Sequence, residues 1–195
     1  MNNAIKIKLL LFGVIAAFGS LFFELAVSIF FPGETAFLFD QITLLLIFFV
    51  IIEELIKFFV IWKSVSFFQN ARDFFLGACL IGFGFSLTEI IFASLNVAGG
   101  QHATWLPFLG IFVVHTSTCV ILGYGIYLKK RSTIIIPLVS ILIVFLLHLI
   151  YNILVIYGTG ASIILSYLCI LFILSIAVGK KLQKQQGLKN NLPKI

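Results

Sequence analysis

Leu44-Leu45-Leu46-Ile47-Phe48-Phe49-Val50-Ile51-Ile52-Glu53-Glu54-Leu55-Ile56-Lys57-Phe58 sets two adjacent carboxylates and a lysine inside an otherwise apolar run. A charge at the bilayer centre is unfavourable by roughly 2.5–3.5 kcal/mol on insertion scales. The chain around it nonetheless suits lipid. Hydrophobic residues make up 62%, charged residues 10%, and mean hydropathy is +1.21. A soluble domain carries about 25% charged residues. Working outward from Glu53, three further apolar segments hold one intrusion each: Glu89, His115 and His148. The pattern predicts a small polytopic membrane protein whose helices share one polar site.

A chain of 195 residues has room for about six spans of ~20 residues. Apolar segments fall at 9–31, 41–62, 74–97, 106–128, 133–157 and 162–179. Each is expected to be a helix, because a span in lipid must satisfy its own backbone hydrogen bonds. Turn residues and charges separate them: Pro32-Gly33-Glu34, Lys63 to Asp73, Gly99-Gly100, Lys129-Lys130-Arg131 and Gly158 to Gly160. No repeat, low-complexity run or linker interrupts the series. The expected fold class is therefore all-α, a transmembrane bundle over residues 1–179 followed by a basic tail, 180–195.

The net charge of +6 does not point to nucleic acid. With six spans, every one of the 13 Lys and Arg except Lys57 lies on one side of the membrane. Lys6 and Lys8 sit at the start, Lys63 and Arg72 in the second connection, Lys129 to Arg131 in the fourth, the rest in the tail. By the positive-inside rule both termini are cytoplasmic. Five or seven spans would break the sorting. The first apolar run exceeds a signal-peptide core and lacks a clear small-x-small cleavage site, so it reads as a retained span. The tail from Lys180 reads as a disordered stop-transfer segment against anionic lipid. Cys79, Cys119 and Cys169 fall within spans and read as small apolar residues. Trp62 and Trp105 read as interfacial anchors.

Depth ties the polar residues together. At ~1.5 Å per residue, Glu89, His115 and His148 each lie ~12–14 Å from the outer ends of their spans, and Glu53 and Glu54 ~18–20 Å. Residues that meet in one site must agree in depth; scattered ones need not. Phase agrees as well. Lys57 is i,i+4 to Glu53 and i,i+3 to Glu54. Gly82, Phe85 and Glu89 form one stripe, and Gly82 and Gly84 admit a close backbone. His148 and Asn152 are i,i+4, and Thr118 and Cys119 follow His115 by one turn. Plain structural roles exist for each: an ion pair for one Glu with Lys57, a packing role for His115, an interhelical pair for His148 with Asn152. Together, unpaired, these charges would cost roughly 10 kcal/mol. They must pair, bind an ion or face water. Glu24, ~10 Å deep, either lines the same cavity or snorkels outward.

Glu53-Glu54-x-x-Lys57, Gly82-Phe83-Gly84-Phe85-x-x-x-Glu89, His115 and His148-x-x-x-Asn152 together resemble the PrsW group of intramembrane proteases. That group is related to the CAAX prenyl proteases of the CPBP superfamily and to the gamma-secretase scaffold. The resemblance covers residues 53–152 in four ordered motifs. Lys57 and Glu89 favour the PrsW branch, since CAAX-type enzymes usually have Glu-Glu-x-x-x-Arg and a His at the second motif. Ile90 departs from the Asn often found there. The resemblance implies a multi-pass protein of the cell membrane, bacterial plasma membrane by analogy, that cleaves a membrane-embedded protein or peptide.

Peptide hydrolysis in a membrane needs water, a base and an oxyanion donor. The expected base is Glu53, with Glu54 orienting the site. His148 and Asn152 are expected oxyanion donors. Glu89 and His115 hold the water, or, with His148, ligate a metal such as Zn²⁺. No His-Glu-x-x-His motif is present. Two other readings stay open at this point: a non-catalytic scaffold or immunity protein that keeps the polar core, and a proton-coupled transporter. The lack of an inverted repeat speaks against the last.

Overall fold

A computed structural model describes residues 1–30, 44–97, 105–129 and 135–190. Six helices follow in order: α1 (Asn3–Ser28), α2 (Leu44–Lys63), α3 (Ala71–Val97), α4 (Trp105–Lys129), α5 (Ile135–Ile156) and α6 (Ala161–Asn190). A 3-10 turn, Ser64–Phe67, joins α2 to α3. No strand occurs among the described residues. The all-α polytopic bundle expected from composition is the fold. Among the described residues, five helices are long and apolar enough to cross a membrane. The sixth, α2, has 20 residues but carries Glu53, Glu54 and Lys57 within them.

Several boundaries shift. The side chain of Asn2 accepts from the backbone N–H of Ile5 at 2.9 Å, so α1 begins six residues before the apolar run and contains Lys6 and Lys8. Residues 180–190, expected to be disordered, continue α6 as helix. The C-terminal part of α6 packs on α3, where Gly179 faces the ring of Phe75, and Leu182 is buried. Asn70 caps α3 by accepting from Asp73 N at 2.8 Å. Gly158, at φ 59°, makes the left-handed turn between α5 and α6. The separators Pro32-Gly33-Glu34, Gly99-Gly100 and Lys130-Arg131 lie outside the described residues.

Burial orders the helices. The apolar windows of α3 and α4 are 50% and 56% buried, against 22% for α1, α5 and α6. Thus α3 and α4 form the centre, and α1, α5 and α6 turn broad apolar faces outward, as lipid requires. Two glycines set the spacing. A Cβ at Gly82 would lie 2.7 Å from Thr116 Cα and 2.8 Å from the His115 carbonyl, so α4 rests directly on α3 there. One at Gly84 would strike the Leu10 carbonyl, so α1 rests on the opposite side of α3. Backbone contact of this kind is the membrane substitute for a hydrophobic driving force between helices. Toward the end of the bundle that holds Lys63, a continuous core of Leu9, Ile61, Phe74, Ile81, Leu122 and Ile126 fills the interior. Between α4, α5 and α6 a second core forms around Val114, Tyr151, Leu168 and Leu171. The Tyr151 hydroxyl donates to the Pro107 carbonyl at 3.1 Å, tying α5 to α4.

Candidate functional site

The polar residues of four helices meet. Lys57 of α2 is fully buried and spends all three ammonium hydrogens inside the bundle. It donates to Glu54 Oε1 at 2.6 Å, to His115 Nδ1 at 3.0 Å and to Thr118 Oγ1 at 3.2 Å. Lys57 is thus held inside the bundle and does not snorkel to the membrane surface. With Glu54, His115 and Thr118 in reach and the apolar core beyond, the ammonium has no path to water.

Glu54 also accepts from α5: His148 Nδ1 lies 2.7 Å from the same Oε1. The two histidine rings stand edge to face, 4.9 Å apart. Glu53, one residue earlier and so ~100° around the helix, points into the gap between them. Its Oε2 is 3.8 Å from Nδ1 of His115 and 3.8 Å from Nδ1 of His148. That oxygen is buried and makes no hydrogen bond among the described residues. On the far side of the His115 ring, Glu89 Oε2 lies against Nε2. Since Nδ1 accepts from Lys57, Nε2 carries the ring proton and faces the Glu89 carboxylate.

Glu53, Glu54, Glu89, His115 and His148 therefore form one cluster. Asn152, half-buried on α5, makes no hydrogen bond to it among the described residues. Glu24 of α1 is half-buried and within electrostatic reach of Glu53 and Glu89. Two participants carried no role in the sequence reading. Thr118 receives the lysine, and the i,i+3 spacing from His115 was the available sign. Phe85 walls the cluster, its ring 4.8 Å from that of His115 and 5.0 Å from the Lys57 ammonium. Phe85 was visible as part of the Gly82–Glu89 stripe, but its cation–π contact with α2 depends on helix packing.

Glu53, His115 and His148 can each offer one atom such that all three lie within 4.8 Å of one another. A tetrahedral zinc site with bonds of ~2.05 Å has edges of roughly 3.3 Å. The 3.8 Å separations from Glu53 Oε2 are close to this. A metal there would have to displace Lys57 from His115 Nδ1 and would take His148 with its proton moved off Nδ1, away from Glu54. A carboxylate and two imidazoles with an open position are the donor set of hydrolytic zinc centres. The orphaned Glu53 oxygen and this donor chemistry fit a metal. The triplet differs from the Glu89, His115 and His148 set anticipated from sequence: Glu89 touches the opposite nitrogen of His115.

No curated protein and no solved structure matches the chain. The model of the PrsW family intramembrane metalloproteases matches residues 4–178, which include every helix that contributes to this cluster. The chain belongs to the PrsW family of intramembrane metalloproteases.

Proposed function

We propose that this protein hydrolyses a peptide bond in or next to a membrane-spanning substrate, with water activated in the Glu53–His115–His148 gap. Family membership supports intramembrane peptidase activity. The observation that carries the finer reading is Glu53 Oε2, buried without a hydrogen bond and equidistant from two imidazoles. An idle scaffold gains nothing from leaving a carboxylate oxygen unsatisfied, which costs about 1–3 kcal/mol or more. The kinship with the CPBP superfamily and residence in a bacterial plasma membrane are part of the same proposal.

Glu53, His115 and His148 would hold the metal that the family description implies. A zinc ion held there would supply Lewis acidity and lower the pKa of its water. The remaining residues have separable jobs. Glu89 faces the Nε2 N–H of His115 and so keeps the Nδ1 lone pair turned toward Glu53. Glu54, fixed by Lys57 and His148 through Oε1, has a second oxygen without a hydrogen bond, Oε2, to receive the proton of water. Asn152, one turn beyond His148 on α5, would donate to the carbonyl oxygen as it becomes anionic. His148 itself is free to do so only without a metal, because one of its nitrogens is turned to Glu54 and the other would ligate.

A second, metal-free reading rests on one observation. Both Nδ1 atoms nearest Glu53 are already engaged, by Lys57 and by Glu54. Glu53 itself then receives the proton, as expected from sequence. Glu53→Gln separates the two. Loss of cleavage together with loss of bound zinc supports the metal reading; loss of cleavage in a protein whose wild type cuts after chelation of all zinc supports Glu53 as base. A purified, zinc-loaded protein that cuts none of a panel of single-span substrates would sink the protease proposal.

A further inference from the structure

The ammonium of Lys57 sits on the lone pair of His115 that a metal needs. We propose that Lys57 is an internal cation that closes the site until a metal displaces it, and that Thr118 retains the displaced ammonium. The inference rests on the reading of Glu53, His115 and His148 as metal ligands. A neutral imidazole has one lone pair in its ring plane. With the Nε2 hydrogen facing Glu89, that lone pair is on Nδ1. Lys57 Nζ is 3.0 Å from it, and Glu53 Oε2 approaches the same atom at 3.8 Å. Only one cation at a time can use it.

The surroundings explain where the ammonium goes. Lys57 is sealed from water, so it does not swing out of the bundle. Two of its three hydrogen bonds, to Glu54 Oε1 and Thr118 Oγ1, do not involve a metal ligand atom. Thr118 is itself held, its hydroxyl donating to the His115 carbonyl at 3.2 Å. The face of Phe85 lies 5.0 Å away. Releasing His115 thus costs the ammonium one bond of three and no desolvation. The other charged groups within electrostatic reach of Lys57 are acidic: Glu53 and Glu54 on its own helix, Glu24 of α1 and Glu89 of α3.

The test is metal affinity, not cleavage. Purified wild type, Lys57→Met and Thr118→Val are titrated with Zn²⁺ in detergent against a chromophoric chelator. Lys57→Met is expected to bind about tenfold tighter or more, and Thr118→Val more weakly, the size of effect outer partners have on metal sites. In wild type labelled with ¹⁵N, Zn²⁺ is expected to shift Nδ1 of His115 and Nζ of Lys57 together. A folded Lys57→Met with unchanged or weaker affinity overturns the inference while leaving the metal reading intact. If Lys57→Met does not fold, a Lys57 Nζ signal unmoved by Zn²⁺ in wild type overturns it equally. Failure of wild type and both variants to bind Zn²⁺ removes the metal reading and the inference with it.

Discussion

Glu54 Oε1 and His148 Nδ1 lie 2.7 Å apart across 94 residues of sequence, and the same oxygen holds Lys57 at 2.6 Å. One carboxylate oxygen therefore fastens α2 to α5 and, through Lys57, to α4. Glu54→Ala leaves a buried ammonium without its counter-charge. Loss of one partner from a buried pair is worth about 3–5 kcal/mol. The expected outcome is a large drop in thermal midpoint in detergent. The double variant Glu54→Gln with Lys57→Met should recover much of it, because no unpaired charge remains. A double variant as unstable as Glu54→Ala would refute the ion-pair account.

Gly82 controls the distance between α3 and the His115 turn of α4. Gly82→Ala puts a methyl group 2.7 Å from Thr116 Cα and 2.8 Å from the His115 carbonyl, so α4 must move. Overpacking of this kind costs about 1–3 kcal/mol. Cleavage is expected to fall further than stability does, since His115 would be displaced relative to Glu53. Gly19, with nothing within 4 Å of its added Cβ, is the control. Equal effects at the two positions would show that the close crossing does not tune the site.

The cluster predicts which changes abolish cleavage without unfolding. Glu53→Ala and His148→Ala should each eliminate processing of a single-span substrate while the protein inserts normally. The double change Glu53→Ala, Glu54→Ala removes both orphaned oxygens at once. Full activity in that variant, measured on purified protein, would rule out carboxylate chemistry.

The bundle and most of the cluster were legible in sequence for one reason. In lipid an ionisable residue has few tolerable positions, so depth and helical phase nearly determine its neighbours. Glu53, Glu54, Glu89, His115 and His148 agreed in depth, and they meet. What was not legible depended on rotation of one helix against another. Gly82 and Gly84 lie two residues apart and serve opposite neighbours, α4 and α1. Lys57 was visible as a partner for Glu54, but its reach to His115 and Thr118 follows from how α2 packs on α4. The helical run to Asn190 was missed because the polar composition of residues 180–190 says nothing about the packing of α6 on α3, where Phe75 meets Gly179.

Topology is open to direct test. The sorting of Lys and Arg predicts that reporter fusions after Lys63, Gly100, Lys130 and Gly160 read inside, outside, inside and outside. A cytoplasmic signal at Gly100 would contradict the orientation and the depths assigned to Glu89, His115 and His148.

The side from which substrate enters follows from that orientation. Glu89 is the most exposed side chain of the cluster at 36%, against 13% for Glu53 and 3% for His148. It lies on the half of α3 remote from the basic connections. On the basic side, Ile61, Phe74, Ile81 and Leu122 are fully or almost fully buried, and Lys57 above them does not reach water. With the orientation predicted from Lys and Arg, water and an extended substrate are expected to enter from the outer face. Helical peptide bonds are shielded by their own hydrogen bonds, so the segment to be cut must first unwind, which is easiest near a span end. Mass-spectrometric mapping on a single-span substrate should locate the cut at or just beyond the outer end of its span. A cut on the cytoplasmic flank would reject outer access, and it would do so without disturbing the assignment of Glu53 and His148, whose variants are tested on the same substrate.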